Sequence, residues 1–336
     1  YGVGILRGGH GDDKRALWMM YGRARGHTQD DILDIGLQGF QGMLLCHMGY
    51  PRNWNYWEHS WTSHNVARQI PFCSMTAQPQ LFAEAGPVRI LEARAQAYSD
   101  RVDSGEGYDL PPDDWQRRMV ALIDVAPDRF YCLDFYRISG GKDHWWAFHC
   151  QEGDFTTGRL TLDKPRDGTL AGADVPYGDP KWLKENGCGQ GVYGWSGPMF
   201  AFAHLYNVQR AQPSGPWWAD WKLKTGEGLH LRLTIPIADG AEVNICDGRS
   251  PAGGPYEMKW IMLHNQGESP VKTQVVSLIE PHLGTPVVAA VRPLELSGTD
   301  EQGFAARGCR VELADAADTV LFAADPSVVR SADGDV

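Results

Sequence analysis

Short apolar runs bounded by turn residues recur along the whole chain of 336 residues. In the segment 228–235, three leucines alternate with a histidine, an arginine and a threonine, which is the pattern of a strand with one buried face. Helical periodicity is nearly absent, and only 180–186 (PKWLKEN) predicts a helix, a short one that ends at Gly187. The pattern therefore predicts an all-β protein whose main part is a large antiparallel β-sandwich of two layered sheets.

Stretches rich in proline, glycine and tryptophan indicate where the chain could divide. The clearest are 208–227 and 247–255. We place a boundary near residue 240, which predicts a central β-sandwich domain over 1–240 and a smaller C-terminal β domain over 241–336. The chain opens on an apolar segment, 1–6, without a charged and then apolar leader, which indicates a mature or truncated fragment.

Composition and charge exclude several classes of protein. The net charge of −11 argues against nucleic-acid binding, which needs a basic surface, so any cleft for an acidic ligand must be local. No apolar run approaches the roughly 20 residues of a membrane helix, so neither a nucleic acid nor a membrane is an expected partner. The seven cysteines form no CxxC pair, and the sequence contains no HExxH, GxSxG or Walker motif.

Some chemically notable residues have structural interpretations. Arg137 is predicted to pair with a buried carboxylate. The tryptophans at 145–146 and at 217–221 are expected to pack in a core or between domains, and most cysteines are expected to be small buried apolar residues.

Histidines and aromatic residues are concentrated between residues 21 and 70. Alternate positions of 27–37 run from polar to apolar, as in a strand whose polar end leads into a buried face. A turn at 39–42 and a returning apolar strand at 43–48 follow, and then a tryptophan-rich loop at 50–61. A core alone does not require this collection of imidazoles, phenols and indoles, so the region predicts a binding or catalytic site.

The order of motifs resembles that of the β domain of heparinase II/III-like polysaccharide lyases. This family typically has a His-x-His-x-Asp strand, an apolar strand with Asp-x-Gly-Tyr, and a Ser/Ala-His-Asn turn. The chain has 27–31 (HTQDD), 47–50 (HMGY) and 63–65 (SHN) in the same order. The segments 134–149 (DFYRISGGKDHWWAFH) and 277–284 (SLIEPHLG) resemble two further family segments, so the resemblance covers most of the chain.

The resemblance implies a carbon–oxygen lyase that cleaves uronate-containing acidic polysaccharides by β-elimination. In relatives an α/α-toroid domain precedes the β domain. No such domain is represented in this sequence, so the chain would be the β-sandwich part of the enzyme and the toroid its partner domain. The resemblance also implies a secreted or periplasmic location.

A uronate lyase must neutralise the C5 carboxylate, remove the C5 proton and protonate the leaving O4 oxygen. The family position of His27 implies that it acts as the base or neutralises the carboxylate, with phenols and a guanidinium lining the cleft. Aromatic faces suit the C–H faces of sugar rings, and Trp54 and Trp57 could stack in this way. The candidate catalytic residues are His27, Tyr50, Arg52 and Tyr56. The candidate substrate-binding residues are Trp54, Trp57, His59 and Asn65.

The resemblance also implies a structural zinc site. Relatives hold zinc with His, Asp and His, and the matching residues here are Gln29, His47 and His64. Two imidazoles and an amide oxygen can bind zinc, but less tightly than a set that contains a carboxylate. A turn at 39–42 would place His47 opposite 33–34 rather than opposite Gln29, so convergence would require a bulge or a strong twist.

Two other classes of function remain open at the level of sequence. The missing toroid and the replacements at Gln29 and His47 are compatible with a non-catalytic carbohydrate-binding or scaffold module, which would bind acidic glycans through the loop 54–61. A metal-dependent enzyme of the cupin type would instead use His27, His47 and His64 directly.

Overall fold

The structure is a computed structural model that describes residues 2–23, 29–49, 57–70, 74–98, 113–188, 195–249, 257–300, 302–322 and 330–331. In chain order the strands are β1 (Gly2–Gly8), β2 (Arg15–Arg23), β3 (Ile35–Gly39), β4 (Gly42–Leu45), β5 (Ala67–Ile70), β6 (Ser74–Ala85), β7 (Val88–Tyr98), β8 (Trp115–Ala126), β9 (Arg129–Ser139), β10 (Asp143–His149), β11 (Gly153–Gly158), β12 (Gly187–Cys188), β13 (Trp195–Ser196), β14 (Leu205–Ala211), β15 (Trp217–Leu223), β16 (Leu229–Ala238), β17 (Glu242–Arg249), β18 (Glu257–Gln266), β19 (Lys272–Leu283), β20 (Val288–Pro293), β21 (Leu296–Ser297), β22 (Arg307–Leu313), β23 (Ala317–Phe322) and β24 (Arg330–Ser331). The described helices are α1 (Pro180–Glu185) and three 3-10 turns, Gly11–Asp13, Trp61–Ser63 and Phe200–His204.

Two antiparallel sheets form the body of the protein. The larger has twelve strands in the order β11-β15-β16-β19-β9-β8-β7-β6-β2-β3-β4, with β1 paired to β2. The smaller has five, in the order β14-β17-β18-β10-β5. One apolar core joins the two, with Leu231 and Ile279 from the larger sheet and Phe148 and Ile261 from the smaller. Burying the apolar face of each sheet against the other is what stabilises the pair, and the predicted all-β sandwich is confirmed.

A third sheet lies on the outer face of the larger one. Its strands are β20-β22-β23, and a second apolar core joins Val291 and Val311 to Leu133 and Leu278. The predicted boundary near residue 240 is not where the strand pairing divides the chain. Strands β17 and β18 are neighbours in the five-stranded sheet, and β19 lies inside the twelve-stranded sheet. The strands of the three-stranded sheet therefore begin only after Leu283. The glycine- and proline-rich stretch after β17 joins two adjacent strands of one sheet, and such a connection needs turn residues as much as a linker does.

Other local predictions are confirmed. Helix α1 has proline in its first turn, and the side chain of Asp179 accepts a hydrogen bond from the backbone of Lys181, which caps its first turn. Arg137 pairs with the buried carboxylate of Asp300 at 3.0 Å. Of the described cysteines, Cys46 is half-buried and the others whose exposure is known are buried. No helix in the described segments is long and apolar enough to cross a bilayer.

Candidate functional site

The structure describes about half of the predicted site. The segment from Gln29 to Gly49 and the segment from Trp57 onward are described. Five of the candidate site residues lie outside the described part of the chain, namely His27, Tyr50, Arg52, Trp54 and Tyr56. Their roles stay predictions, whereas the geometry of the others can be compared with expectation.

The segment before β3 differs from the extended strand predicted over 27–37. Strand β3 begins only at Ile35, because Leu33 adopts a left-handed backbone with φ of 69° and turns the chain. The turn between β3 and β4 lies where the sequence places it, with Phe40 and Gln41 both at positive φ, as a tight two-residue hairpin requires. The register shifts between Leu37 and Gln38, an irregularity of the kind that the sequence predicts between β3 and β4.

Asp34 is the centre of the described site. One carboxylate oxygen, Oδ1, accepts hydrogen bonds from the backbone of Ile35 and of Asn65, each at 2.8 Å. The other, Oδ2, lies 3.1 Å from Nδ1 of His64. Asp34 therefore joins the start of β3 to the turn that carries the Ser-His-Asn motif. In the sequence this position stands out only as one that a turn at 39–42 places opposite His47, and no motif marks its role.

The Asp34–His64 pair is buried and charge-coupled. Burial by itself would lower the pKa of His64, but the hydrogen bond and the negative charge of Asp34 outweigh burial and raise it. Burial likewise opposes ionisation of Asp34, but the hydrogen bond from His64 keeps the pKa of Asp34 below its ordinary value. Desolvation and the nearby His64 lower the pKa of His47, which favours its neutral, ligand-competent form.

Gly49 connects the two segments that sequence alone could not bring together. Its carbonyl accepts a hydrogen bond from Nε2 of Gln29 at 2.7 Å, and its amide donates to Nδ1 of His47 at 3.0 Å. The ring of His47 lies 5.1 Å, centre to centre, from that of His64. Gly49 has a φ of 85°, a conformation that favours glycine, and this permits the turn.

The residues present fit a zinc ion in the types of donor atom that they offer. Gln29 uses Nε2, and His47 and His64 each use Nδ1, in a hydrogen bond within the described part of the chain. The Oε1 of Gln29 and the Nε2 of His64 are buried and have no hydrogen-bond partner among the described residues. Because Asp34 holds the Nδ1 side of the His64 ring, it supplies the carboxylate–histidine support that zinc-binding imidazoles usually have.

A buried arginine, Arg118, holds the backbone of the two segments that form the site. The guanidinium of Arg118 makes two hydrogen bonds to the carboxylate of Asp134, at 2.9 and 2.7 Å. It also donates to the backbone carbonyls of Leu33, at 2.7 Å, and of Asn65. Leu33 precedes Asp34 in the chain, and Asn65 follows His64. The Arg118 side chain therefore holds both segments that form the Asp34–His64 contact.

Two of the three described substrate-binding candidates, Trp57 and Asn65, are buried. Asn65 is buried, and its side-chain oxygen accepts from the backbone of His149 at 2.8 Å. Trp57 is 1% exposed, and its ring packs against those of His204 and Trp260, which leaves no open face for a sugar. His59 is half-buried, and its carbonyl accepts from the backbone of Asp30 at 3.0 Å. Substrate contacts by these residues stay predictions, and the packing does not favour them for Trp57 and Asn65.

Comparison with solved structures identifies a shared fold. Heparan sulfate lyase HepC from Pedobacter heparinus superposes with a TM-score of 0.58 at 13% sequence identity, over 96% of this chain and 41% of that one. Heparinase III gives a TM-score of 0.56 at 12% identity, again over 96% of this chain and 41% of that one. This chain shares its fold with a part of these lyases. It spans about two-fifths of their length, and identity this low shows the fold alone.

Comparison at the level of sequence adds nothing to this result. No family model matches the chain, and no curated protein matches it. The likeness to the lyases therefore rests on the arrangement of strands, together with the order of short motifs noted above.

Proposed function

We propose that the chain is the β-sandwich part of a polysaccharide lyase that cleaves uronate-containing acidic polysaccharides by β-elimination. The observation that carries the proposal is the hydrogen bond between Gln29 and Gly49. His27 is two residues before Gln29, and covalent geometry keeps their Cα atoms within about 7 Å. Tyr50 follows Gly49 directly. The two candidate catalytic groups are therefore attached to segments that are themselves joined.

The proposed chemistry divides among residues of this chain and a partner domain. His27 takes the C5 proton, and Arg52 pairs with the C5 carboxylate and neutralises its charge. As the C5–H bond breaks, its electrons form the C4–C5 double bond, and O4 leaves and takes a proton from Tyr50 or Tyr56. Trp54 stacks on a sugar ring. A preceding α/α-toroid domain forms the opposite wall of the cleft.

The proposal predicts a specific product. The complete protein, incubated with alginate, ulvan or heparan-type chains, is expected to release unsaturated uronate, which is followed by its ultraviolet absorbance and by mass spectrometry. A neutral glucan has no C5 carboxylate to make the C5 proton acidic, so it serves as the matched control and is expected to give no such product. Binding of these acidic chains without unsaturated product would refute lyase activity and favour the carbohydrate-binding alternative.

We also propose that Gln29, His47 and His64 hold a structural zinc ion. When bound, zinc would brace the turn at 47–49 against the Ser-His-Asn turn, and no step of the elimination needs it. His47 is the exposed ligand, so His47→Ala is expected to leave the fold intact and to remove one equivalent of zinc per molecule, measured by elemental analysis after dialysis against zinc. His10→Ala, a histidine on an exposed turn, is the control. Unchanged zinc content in the His47 variant would rule this site out.

The expected substrates are polymers that do not cross membranes. We therefore propose that the protein acts outside the cytoplasm, in the periplasm or in the medium. Fractionation of the producing cells with an antibody to the chain tests this, and a purely cytoplasmic signal would contradict it.

A further inference from the structure

Three neighbouring strands of the larger sheet carry a polar cluster on the face opposite the main core. In the register of β15, β16 and β19, Asp220 faces Arg232, and Arg232 in turn faces Glu280. His230 faces His282 in the adjacent row. Successive side chains of a strand point to opposite faces, so the intervening leucines and tryptophans of these strands enter the core while the cluster faces outward.

The cluster brings the polar atoms of three side chains close together. Nδ1 of His230 lies 2.6 Å from Oδ1 of Asp220, and Nε2 of His282 lies 3.4 Å from Oδ2. One ligand atom from each of the three residues lies within 4.8 Å of the other two. The imidazole rings are nearly parallel, at 13°, with centres 4.9 Å apart.

The surroundings provide both support and access. Arg232 donates from Nε to Oδ2 of Asp220 at 3.0 Å, which orients the carboxylate and leaves Oδ1 for an ion. Glu280 lies opposite Arg232 in the strand register. The Asp220 and His282 side chains are more than nine-tenths buried, whereas that of His230 is 25% exposed. His282 and Glu280 also line a cavity of about 440 Å³.

Unpartnered atoms accompany this arrangement. Nδ1 of His282 and Oε2 of Glu280 are buried without a hydrogen-bond partner among the described residues. Buried polar atoms without a partner are costly, and these two belong to side chains two residues apart on the same face of β19.

We propose that Asp220, His230 and His282 form a second binding site for a divalent transition-metal ion, best matched by zinc. Two imidazoles and one carboxylate are a common zinc set, and three protein ligands leave a fourth position for water. The ion takes the place of the proton that His230 shares with Asp220, and that proton is released to solvent on binding. The site shares no ligand with the trio at Gln29, His47 and His64 and does not depend on the proposed lyase activity.

The test uses the complete protein, first stripped with a chelator and then titrated with zinc alone and, separately, with cobalt as a visible reporter. The His47→Ala variant, which lacks the first trio, is expected to retain one equivalent of zinc attributable to this cluster. Adding His230→Gln is expected to remove that equivalent or to weaken zinc binding by at least about tenfold, with loss of the corresponding cobalt absorbance. His230 is partly exposed and glutamine is similar in size, so circular dichroism is expected to be unchanged.

Two controls separate a local effect from a general one. Lys222→Ala changes the residue opposite His230 without removing a ligand, and His10→Ala removes a distant surface histidine. Both are expected to keep the zinc stoichiometry of their parent. Equal zinc affinity and cobalt spectra with and without His230→Gln would overturn the proposal, as would the absence of any zinc binding in the His47→Ala parent.

Discussion

Replacement of Arg118 by alanine is expected to lower the free energy of unfolding by about 3–5 kcal/mol. The Arg118 side chain is fully buried, and that of its partner Asp134 is 1% exposed. Removing the guanidinium leaves a desolvated carboxylate without a counter-charge, and it takes a donor away from the carbonyls of Leu33 and Asn65. Urea unfolding followed by tryptophan fluorescence measures the loss.

A matched arginine isolates the effect of burial. Arg166 is paired with Asp163 at 2.7 Å on the surface, and Arg166→Ala is expected to cost at most about 1 kcal/mol, because water screens the pair and solvates the remaining carboxylate. Replacing both members of the buried pair, Arg118→Met with Asp134→Leu, is expected to recover part of the loss since no unpaired charge remains. If Arg118→Ala were no more destabilising than Arg166→Ala, this pair would not be the brace of the site.

The second large effect concerns turnover. Under the proposed function, His27→Ala in the complete protein is expected to lower kcat by about 10²–10⁴-fold, the range that a positioned general acid or base contributes. The midpoint of thermal unfolding is expected to stay unchanged, because the interactions that brace the site involve Asp34, Arg118 and Gly49 instead. Initial rates of unsaturated-uronate formation on the best substrate give the comparison.

The control for this experiment is again His10→Ala, which removes an imidazole outside the site and is expected to keep full activity. Normal turnover by the His27 variant would remove this residue from the mechanism. Loss of activity together with a lowered unfolding midpoint would show that His27 acts through the fold, and it would equally contradict its assignment as the proton-transfer group.

The bracing of the site also explains why stability and function should be separable in this protein. Asp34 and His64 lie in the interior, where a hydrogen-bonded ion pair is strong but sensitive to the loss of either member. The candidate ligand His47 is exposed, so its replacement alters metal binding without opening the core. A variant at His47 therefore tests metal binding, and variants at Asp34 or His64 test the stability of the fold.

Local sequence patterns determined much of the fold. The alternation over 228–235 predicts strand β16 with its leucines inward, and the pattern of 180–186 predicts the short helix α1. The tight turn at 39–42 was also predicted, from its position between two apolar segments. In each case the deciding interactions lie within a few residues of one another, so that side-chain periodicity and backbone preference are sufficient to predict them.

Tertiary structure alone decided how the site is assembled. Arg118 contacts the carbonyl of Leu33, 85 positions earlier in the chain, and nothing in either residue type specifies that contact. Gly49 joins Gln29 to His47 through its own carbonyl and amide, groups that every residue other than proline carries and that no motif reveals. The division of the chain after β19 and the covering of Trp57 likewise depend on which strands pair over long separations. Such pairings are fixed by burial of whole sheet faces and by register, which are properties of the folded chain as a whole.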